Sequence, residues 1–160
     1  KEKESVLLTT FPEKNFIKKE EGDRTFLETW GKLIEVREEV SRLLEQERRE
    51  KKIGSSLEAS VTLYAKGNDP LYPLLQEKKA FLPTLFIVSQ VDVHLLENKP
   101  EGIATLQLKE TPLAVQVQPA RGRKCERCWI YKEDVGADAA YPTLCGRCAG
   151  VMGADAAGPN

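Results

Sequence analysis

Two short motifs contain the most informative residues of this sequence, Lys124-Cys125-Glu126-Arg127-Cys128-Trp129 and, further along the chain, Cys145-Gly146-Arg147-Cys148. These two Cys-x-x-Cys pairs contain all four cysteines of the protein. Each pair can form a tight turn with two sulfur atoms on one side, and four thiolates in a tetrahedron make a closed zinc site with Zn–S of about 2.3 Å. Because no ligand position is left for water, we expect one structural Zn²⁺ ion. Its predicted ligands are Cys125, Cys128, Cys145 and Cys148.

Two other interpretations of the cysteines remain, a disulfide pair and a redox-active Cys-x-x-Cys. A redox motif normally stands alone after a strand and is not duplicated at a distance. Thiolates held by zinc are typical of a reducing compartment, so we expect a cytoplasmic protein. Several cations surround the motif and would offset the formal charge of about −2 on a four-thiolate zinc centre. They are Arg121, Arg123, Lys124, Arg127 and Arg147.

Composition limits the partners of this chain. Its formal net charge is −1 at pH 7, so a nucleic-acid contact would have to be a local basic patch and not a general property of the surface. No apolar run approaches the roughly 18 residues that cross a bilayer, so we expect no membrane partner. The chain starts at Lys1 and its single methionine is Met152, which led us to expect a fragment of a longer protein.

The clearest secondary structure is a long amphipathic helix, predicted from Thr25 to Ile53 and ending before Gly54. A single helix of this length with one apolar stripe is typical of a bundle, so residues 1–54 are expected to be the end of a helical bundle, with a charged, extended lead-in over 1–22. Upstream domains of the same polypeptide would cover the stripe. Its members are Phe26, Trp30, Leu33, Val40 and Leu44.

After Gly54 the hydrophobic period changes, and the chain is predicted to be α+β overall. A small α+β junction domain is expected over 55–119, a four-cysteine zinc module over 120–150 and a disordered tail over 151–160. The predicted elements of the junction domain are a strand over 57–64, a helix over 71–82, a strand from 86 to 95, and a hairpin of 103–108 and 113–117 with Thr111-Pro112 in its turn.

The sequence shows no catalytic constellation, and we predict no catalytic residue in this chain. His94, the sole histidine, lies in an alternating strand and is more readily explained as a packed or exposed strand residue than as a ligand. Arg48, Lys51 and Lys52 share the end of the long helix with several glutamates. They form either a solvated, ion-paired face or a contact for phosphates.

Trp129 follows the first cysteine pair directly and permits two interpretations. It could cap the small core of the zinc module, or it could stack on an unpaired base, a contact worth about 1–3 kcal/mol. In the second case Arg127 would add hydrogen bonds to bases. Arg121, Arg123 and Lys124 would add phosphate contacts.

Two parts of the sequence resemble bacterial isoleucyl-tRNA synthetases. The run from Trp30 to Ala59, which ends Gly54-Ser55-Ser56-Leu57-Glu58-Ala59, is similar to the passage from the helical anticodon-binding domain into the C-terminal junction. The cysteine motifs, with Val135-Gly136 between them, resemble the C-terminal zinc finger of that family. The sequence departs from the family pattern at Leu7 and Ile130, where histidine is usual or frequent, and neither position is a predicted zinc ligand.

The resemblance implies protein biosynthesis by ATP-dependent aminoacylation, with the ATP site and catalytic domain of an isoleucine–tRNA ligase lying outside this segment, since both ATP-binding signatures are absent. It also implies that this segment binds tRNA at the anticodon stem-loop and is monomeric. A similar zinc finger occurs in formamidopyrimidine-DNA glycosylases, so a nucleic-acid-binding part of such a repair enzyme is one alternative. A zinc-stabilised protein-interaction module is another.

Overall fold

The structure, a computed structural model, describes residues 23–109 and 111–156. The predicted lead-in over 1–22, with the departure at Leu7, lies outside the described residues. The helices are α1 Asp23–Arg49, α2 Leu71–Glu77, α3 Leu82–Phe86 and α4 Gly146–Ala156, with short 3-10 helices at Ser56–Glu58 and Leu96–Asn98. The strands are β1 Ala59–Ala65, β2 Gln90–Leu95, β3 Thr105–Leu108, β4 Thr111–Pro119, β5 Arg123–Lys124 and β6 Tyr131–Lys132. The predicted α+β class, with a long helix and a four-cysteine cluster, is confirmed.

One mixed sheet forms the centre of the α+β part, in the order β2-β1-β4-β3. Strand β1 pairs in parallel with β2, where Val61 is opposite Val91. On its other side β1 pairs antiparallel with β4, and β3 and β4 form an antiparallel pair. Helices α2 and α3 supply the crossover that a parallel pair requires. Strand β1 lies inside the sheet, and five of its seven residues are buried.

Helix α1 packs on this sheet with the part of its apolar stripe that follows Trp30. Leu33, Val40 and Leu44 are buried in the same cluster as the strand residues. The sheet and helix α3 together therefore cover this part of the stripe. Phe26, Leu27 and Ile34 of α1 are 60%, 66% and 40% exposed, and the contact with upstream helices stays a prediction. The domain boundary at residue 54 stays a prediction.

The end of α1 differs from the prediction. The helix ends at Arg49, before the predicted end at Ile53, and Lys51 has a left-handed φ of 58°. The amide of Lys51 donates to the carbonyl of Arg48, and the amide of Lys52 donates to that of Glu47. These bonds end the helix one turn before the predicted position. A lysine can adopt the left-handed conformation when the hydrogen bonds of the turn offset its conformational energy.

The segment 71–90 was only partly predicted. The single helix expected over 71–82 is two helices, and the strand expected from Phe86 begins instead at Gln90. Phe86 ends α3, and Ile87 adopts a left-handed φ of 59°. Phe86 and Val88 are buried on either side of the exposed Ile87. This buried–exposed–buried pattern is the same as that of a strand with one buried face.

The hairpin turn lies before the predicted position. Thr111 and Pro112 belong to β4, and the residue with the left-handed φ of 52° is Lys109. Pro112 is opposite Gln107 of β3 but lies one residue beyond Leu113, the last β4 partner of β1. Its missing N–H therefore costs no bond to β1, which is why a proline is tolerated there.

The tail prediction was wrong for the part of the tail that is described. Helix α4 runs from Gly146 to Ala156 and so includes Cys148 and the first six residues of the predicted tail. Ala149 is buried against the cysteine cluster, and the alanines that follow favour a helix once it has started. Within the described ranges, none of the helices combines the length and apolar character needed to cross a bilayer.

Candidate metal centre and recognition surface

The four cysteines converge on one point. Their Sγ atoms all lie within 4.8 Å of one another, and those of Cys128 and Cys145 are 3.9 Å apart. A tetrahedron with Zn–S of 2.3 Å has S–S edges of about 3.8 Å, so the donor set has the size and chemistry that zinc requires. Cys125 and Cys145 are fully buried and Cys148 is nearly so. The cluster can hold a metal ion and shield it from water.

Local backbone bonds build the two cysteine turns. The first turn lies between β5 and β6, where the amide of Cys125 donates to the carbonyl of Ile130 at 3.0 Å. The second turn is the start of α4, where the carboxylate of Asp134 accepts the amide of Gly146 at 3.1 Å. The amide of Cys145 donates to the Sγ atom of Cys125 at 3.4 Å and so connects the two turns.

The thiols differ in how readily they ionise. Burial acts to raise the pKa of Cys125, but backbone N–H groups of Cys128, Cys145 and Arg127 lower it to about 6. Burial and the neighbouring thiols raise the pKa of Cys128 to about 12, and burial likewise raises the pKa of Cys145. A cation bound among the cysteines would favour their thiolate forms, as metal binding requires.

Two glycines allow the loops to close around the cluster. Gly122 has a φ of +88°, and a Cβ atom there would lie 2.3 Å from the carbonyl oxygen of Lys132. Gly136 has a φ of +83°, and its Cβ atom would lie 2.7 Å from the carbonyl oxygen of Pro142. Both positions combine left-handed backbone with close backbone approach, so only glycine fits without rearrangement.

Trp129 is exposed to solvent. Its side chain is 61% accessible, its φ is 63°, and its amide donates to the carbonyl of Cys125 at 2.8 Å. The Nζ atom of Lys124 lies 5.6 Å from the centre of the indole ring. The interpretation that Trp129 caps the core of the module is therefore wrong. That core consists of the cysteines with Val135 and Leu144.

The predicted RNA-binding cations of the module fall into two groups. Arg127 and Lys124 are exposed beside Trp129. Arg123 donates through its guanidinium to the carbonyl of Val135, and Arg121 lies 3.6 Å from carboxylates of both Asp92 and Glu133. The second group is thus also engaged in holding the module together.

The cations at the end of α1 lie apart from the cysteine cluster, on a different element. Arg48 pairs with Glu45 at 3.2 Å, and Lys52 pairs with Glu47 at 3.2 Å and with Glu50 at 2.7 Å. A hydrogen bond from Lys52 holds the pKa of Glu50 below its ordinary value. The ion-paired face is what the structure shows, and the phosphate contact of Arg48, Lys51 and Lys52 stays a prediction. His94 is exposed, with its ring 5.9 Å from that of Tyr64.

Sequence reasoning missed the residues that connect the zinc module to the sheet. The hydroxyl of Ser89 accepts the amide of Tyr131, and the side chain of Gln90 bonds the backbone of Arg121. The only signal was a pair of polar residues that interrupts an apolar run. Their partners are backbone groups, which no side-chain pattern reveals.

A four-cysteine cluster on two turns, packed beside a mixed sheet, defines a zinc-finger protein. The family described as "Zinc finger found in FPG and IleRS" matches residues 122–150. The isoleucine–tRNA ligase of Carboxydothermus hydrogenoformans is 45% identical over 150 residues, which cover 94% of this chain and 15% of that protein. The ligase of Geobacter sulfurreducens is 44% identical over 150 residues, covering 92% of this chain and 15% of that protein. The ligase of Pectobacterium atrosepticum is 43% identical over 126 residues, covering 78% of this chain and 13% of that protein.

The chain is therefore a homologue of one segment of the isoleucine–tRNA ligases, and the resemblance seen in the sequence is confirmed. It spans about 15% of the length of the Carboxydothermus hydrogenoformans and Geobacter sulfurreducens ligases. The similarity extends through α1 and the sheet as well as the finger, and so it does not favour the glycosylase alternative or a generic interaction module.

Proposed function

We propose that this chain is the tRNA-binding part of an isoleucine–tRNA ligase and that its zinc finger recognises the anticodon stem-loop. In this proposal ATP-dependent attachment of isoleucine, and ATP binding itself, belong to other regions of such a ligase. The chain would work in the cytoplasm, as a monomer, alongside upstream domains of the same polypeptide. No residue described above has a catalytic role in the proposal.

One observation supports the proposal most directly, the exposed Trp129 beside the cysteine cluster. A tryptophan in a module with so few apolar residues would be expected inside, yet 61% of its side chain is accessible. An aromatic ring on a rigid backbone loses little entropy when a base stacks on it. Lys124 brings a positive charge to the same ring, and Arg127 extends from the same turn.

Zinc has a structural role in this proposal. When bound by the four cysteines it would join the two turns and leave no open position for a water molecule. The chain's own residues complete the support, since Asp134 caps α4 and the guanidinium of Arg123 holds the loop at Val135. The finger then presents Trp129 and Arg127 on a fixed frame.

The cations would divide their work between bases and phosphates. Arg127 would bond base edges, and Lys124 would contact phosphate next to the stacked base. Arg121 and Arg123 would add charge to the same surface while remaining bonded to the protein. Arg48, Lys51 and Lys52 would extend the phosphate contacts along the end of α1, exchanging their exposed glutamate partners for RNA, since exposed ion pairs contribute little.

The proposal is tested by titrating cognate tRNA and an anticodon-mutant tRNA against variants at two salt concentrations. Trp129→Ala and Arg127→Ala should each lose roughly 1–3 kcal/mol of discrimination between the two RNAs. Phe26→Ala is the matched control, because Phe26 is an aromatic of equal exposure on another element. Arg123→Ala should weaken binding to both RNAs alike and reduce the salt dependence.

Zinc content is measured for each variant, because Arg123 also supports the finger. Trp129→Ala with intact zinc and full discrimination would overturn the recognition role of Trp129. Tighter binding of duplex DNA than of tRNA would favour a glycosylase-like function instead.

A further inference from the structure

We propose that Ser89 and Gln90, at the start of β2, are positioning residues that dock the zinc module on the sheet and set the direction in which Trp129 faces. The consequence for RNA binding rests on the proposed function, whereas the docking itself does not. The docking interface is defined here as Leu57, Glu58, Ser89, Gln90 and Asp92 of the α+β part together with Ala120, Arg121 and Tyr131.

Gln90 binds the segment that enters the module. Its Nε2 atom donates to the carbonyl of Arg121 at 2.9 Å, and its Oε1 atom accepts the amide of Arg121 at 3.0 Å. The side chain thus makes the two bonds that a neighbouring strand residue would make. Arg121 immediately precedes Gly122 and β5, so this pair fixes where the module begins.

Ser89 binds the other strand of the module. Its hydroxyl donates to the carbonyl of Leu57 and accepts the amide of Tyr131 at 2.8 Å. Among the described residues Ser89 is the single buried polar side chain, with 9% exposure. The hydroxyl of Ser89 acts both as a donor and as an acceptor. Its removal would therefore leave the carbonyl of Leu57 and the amide of Tyr131 without this partner.

The rest of the docking interface is also polar. The amide of Ala120 donates to the carbonyl of Glu58 at 2.7 Å. The guanidinium of Arg121 lies between Asp92 of β2 and Glu133 of the module, 3.6 Å from each. The buried apolar residues form two separate clusters, one in the α+β part and one around the cysteines. Because no shared apolar core joins the two clusters among residues 23–109 and 111–156, we infer that the angle between the parts depends on these hydrogen bonds.

The docking interface is connected to Trp129 through the β5–β6 pair. Tyr131, held by Ser89, is the strand partner of Lys124, and Lys124 lies over the indole ring. If the docking is lost, zinc still holds the module together, but the ring can point in many directions. RNA binding must then fix the ring of Trp129 in one direction, and this loss of conformational freedom lowers the affinity for RNA.

The docking is tested by the motion of Trp129 in the zinc-loaded chain. The chain has two tryptophans, so Trp30→Phe leaves Trp129 as the only one, and its time-resolved fluorescence anisotropy reports how freely the module moves. Ser89→Ala and Gln90→Leu should each keep one zinc per chain and add a nanosecond segmental motion. Ser89→Thr, which keeps the hydroxyl, should restore the slow decay.

Two further variants sharpen this test. Gln90→Glu keeps the acceptor but loses the donor toward the carbonyl of Arg121, so its effect should be intermediate. Gln107→Leu is the matched control, because Gln107 is an exposed glutamine on β3 at the opposite edge of the sheet. If Ser89→Ala does not fold, Gln90→Leu tests the proposal alone, since Gln90 is only half-buried.

The same variants are then titrated with tRNA. Ser89→Ala and Gln90→Leu should bind roughly five- to tenfold more weakly, with Ser89→Thr and Gln107→Leu near the parent affinity. An unchanged anisotropy in zinc-loaded Gln90→Leu and Ser89→Ala would overturn the docking. A mobile Trp129 with unchanged affinity would overturn the positioning role. If Trp129→Ala itself has no effect on RNA binding, the proposed function fails while the anisotropy result still decides the docking.

Discussion

The α+β part and the zinc module differ most in what lies at their centres. The first has a core of leucine, valine, alanine and phenylalanine side chains drawn from α1, α2, α3 and the sheet. In the second, the fully or nearly buried side chains are three cysteines with Val135 and Ala149. Ordering each residue costs about 1–2 kcal/mol of backbone entropy, which so small an apolar cluster cannot offset. Stability is spread over many contacts in one region and concentrated on four sulfur atoms in the other.

We expect the largest difference in stability between the two regions when the metal is removed. Chelation of zinc, or Cys145→Ser, should abolish hydrogen-exchange protection over 121–148 while β1 and β4 keep theirs. The reason is that zinc binding supplies about 10–16 kcal/mol to small modules of this kind. Zinc added back to the chelated protein, but not to Cys145→Ser, should restore protection. A metal-free module that stays protected would remove the contrast.

A cavity in the apolar core tests the other side of the comparison. Leu33→Ala should cost about 2–5 kcal/mol, because Leu33 is 1% exposed between α1 and the sheet. Ile34→Ala, at the next position of the same helix, is the control and should cost below about 1 kcal/mol, since Ile34 is 40% exposed. Urea unfolding followed by far-UV circular dichroism measures both. Equal costs would mean that this face of α1 is not core.

A methyl group added to a loop of the zinc module should weaken the metal site without touching a ligand. Gly122→Ala forces a strained φ and a clash with the backbone of Lys132, which should cost about 1–3 kcal/mol. Zinc affinity, measured by chelator competition, should then fall roughly 5- to 150-fold. Gly150→Ala in α4 is the control, because its Cβ atom would meet open space. A Gly122→Ala protein with normal zinc affinity would show that the loops are not part of what holds the metal.

The smallest expected effect is a stabilisation of the α+β part alone. Gly31 lies inside α1 with open space around its Cα, so Gly31→Ala should stabilise the fold by up to about 1 kcal/mol through helix propensity. Gly102→Ala should instead destabilise it, because Gly102 has a φ of +83°. Thermal unfolding measures both changes. Zinc affinity should not respond to either, and a response would show that the two regions are coupled beyond the docking interface.

The sequence was informative where side-chain periodicity or spacing carries the signal. Helix α1, strand β1 and the cysteine cluster follow from the recurrence of apolar residues and from the two Cys-x-x-Cys pairs. Periodicity failed at Ile87, because a helix end followed by a left-handed residue gives the same buried–exposed–buried pattern as a strand. It also failed at Lys51, where a lysine occupies a position for which glycine is the usual choice.

The residues proposed to bind or position RNA could be predicted only in part from the sequence. The position of Trp129 beside a cysteine pair identified it as a candidate, but a tryptophan can fill a small core as readily as it can face solvent. Its 61% exposure had to come from the structure. Ser89 and Gln90 could not be found at all, since their partners are backbone groups far away in the sequence.

The pairing of β1 with β4 has a consequence for the order in which the protein forms. Ala59 lies opposite Pro119 and Ala65 opposite Leu113, so the central ladder of the sheet joins residues 48 to 60 positions apart, and such distant pairing slows folding. On the ribosome, β1 and β2 emerge first and can pair with each other, but the second edge of β1 stays open until β4 has been made. The cysteines follow β4 in the chain and emerge after it. A growing chain therefore has an open sheet edge before it has a zinc site, and the completed sheet can serve as the template on which the finger takes up its metal.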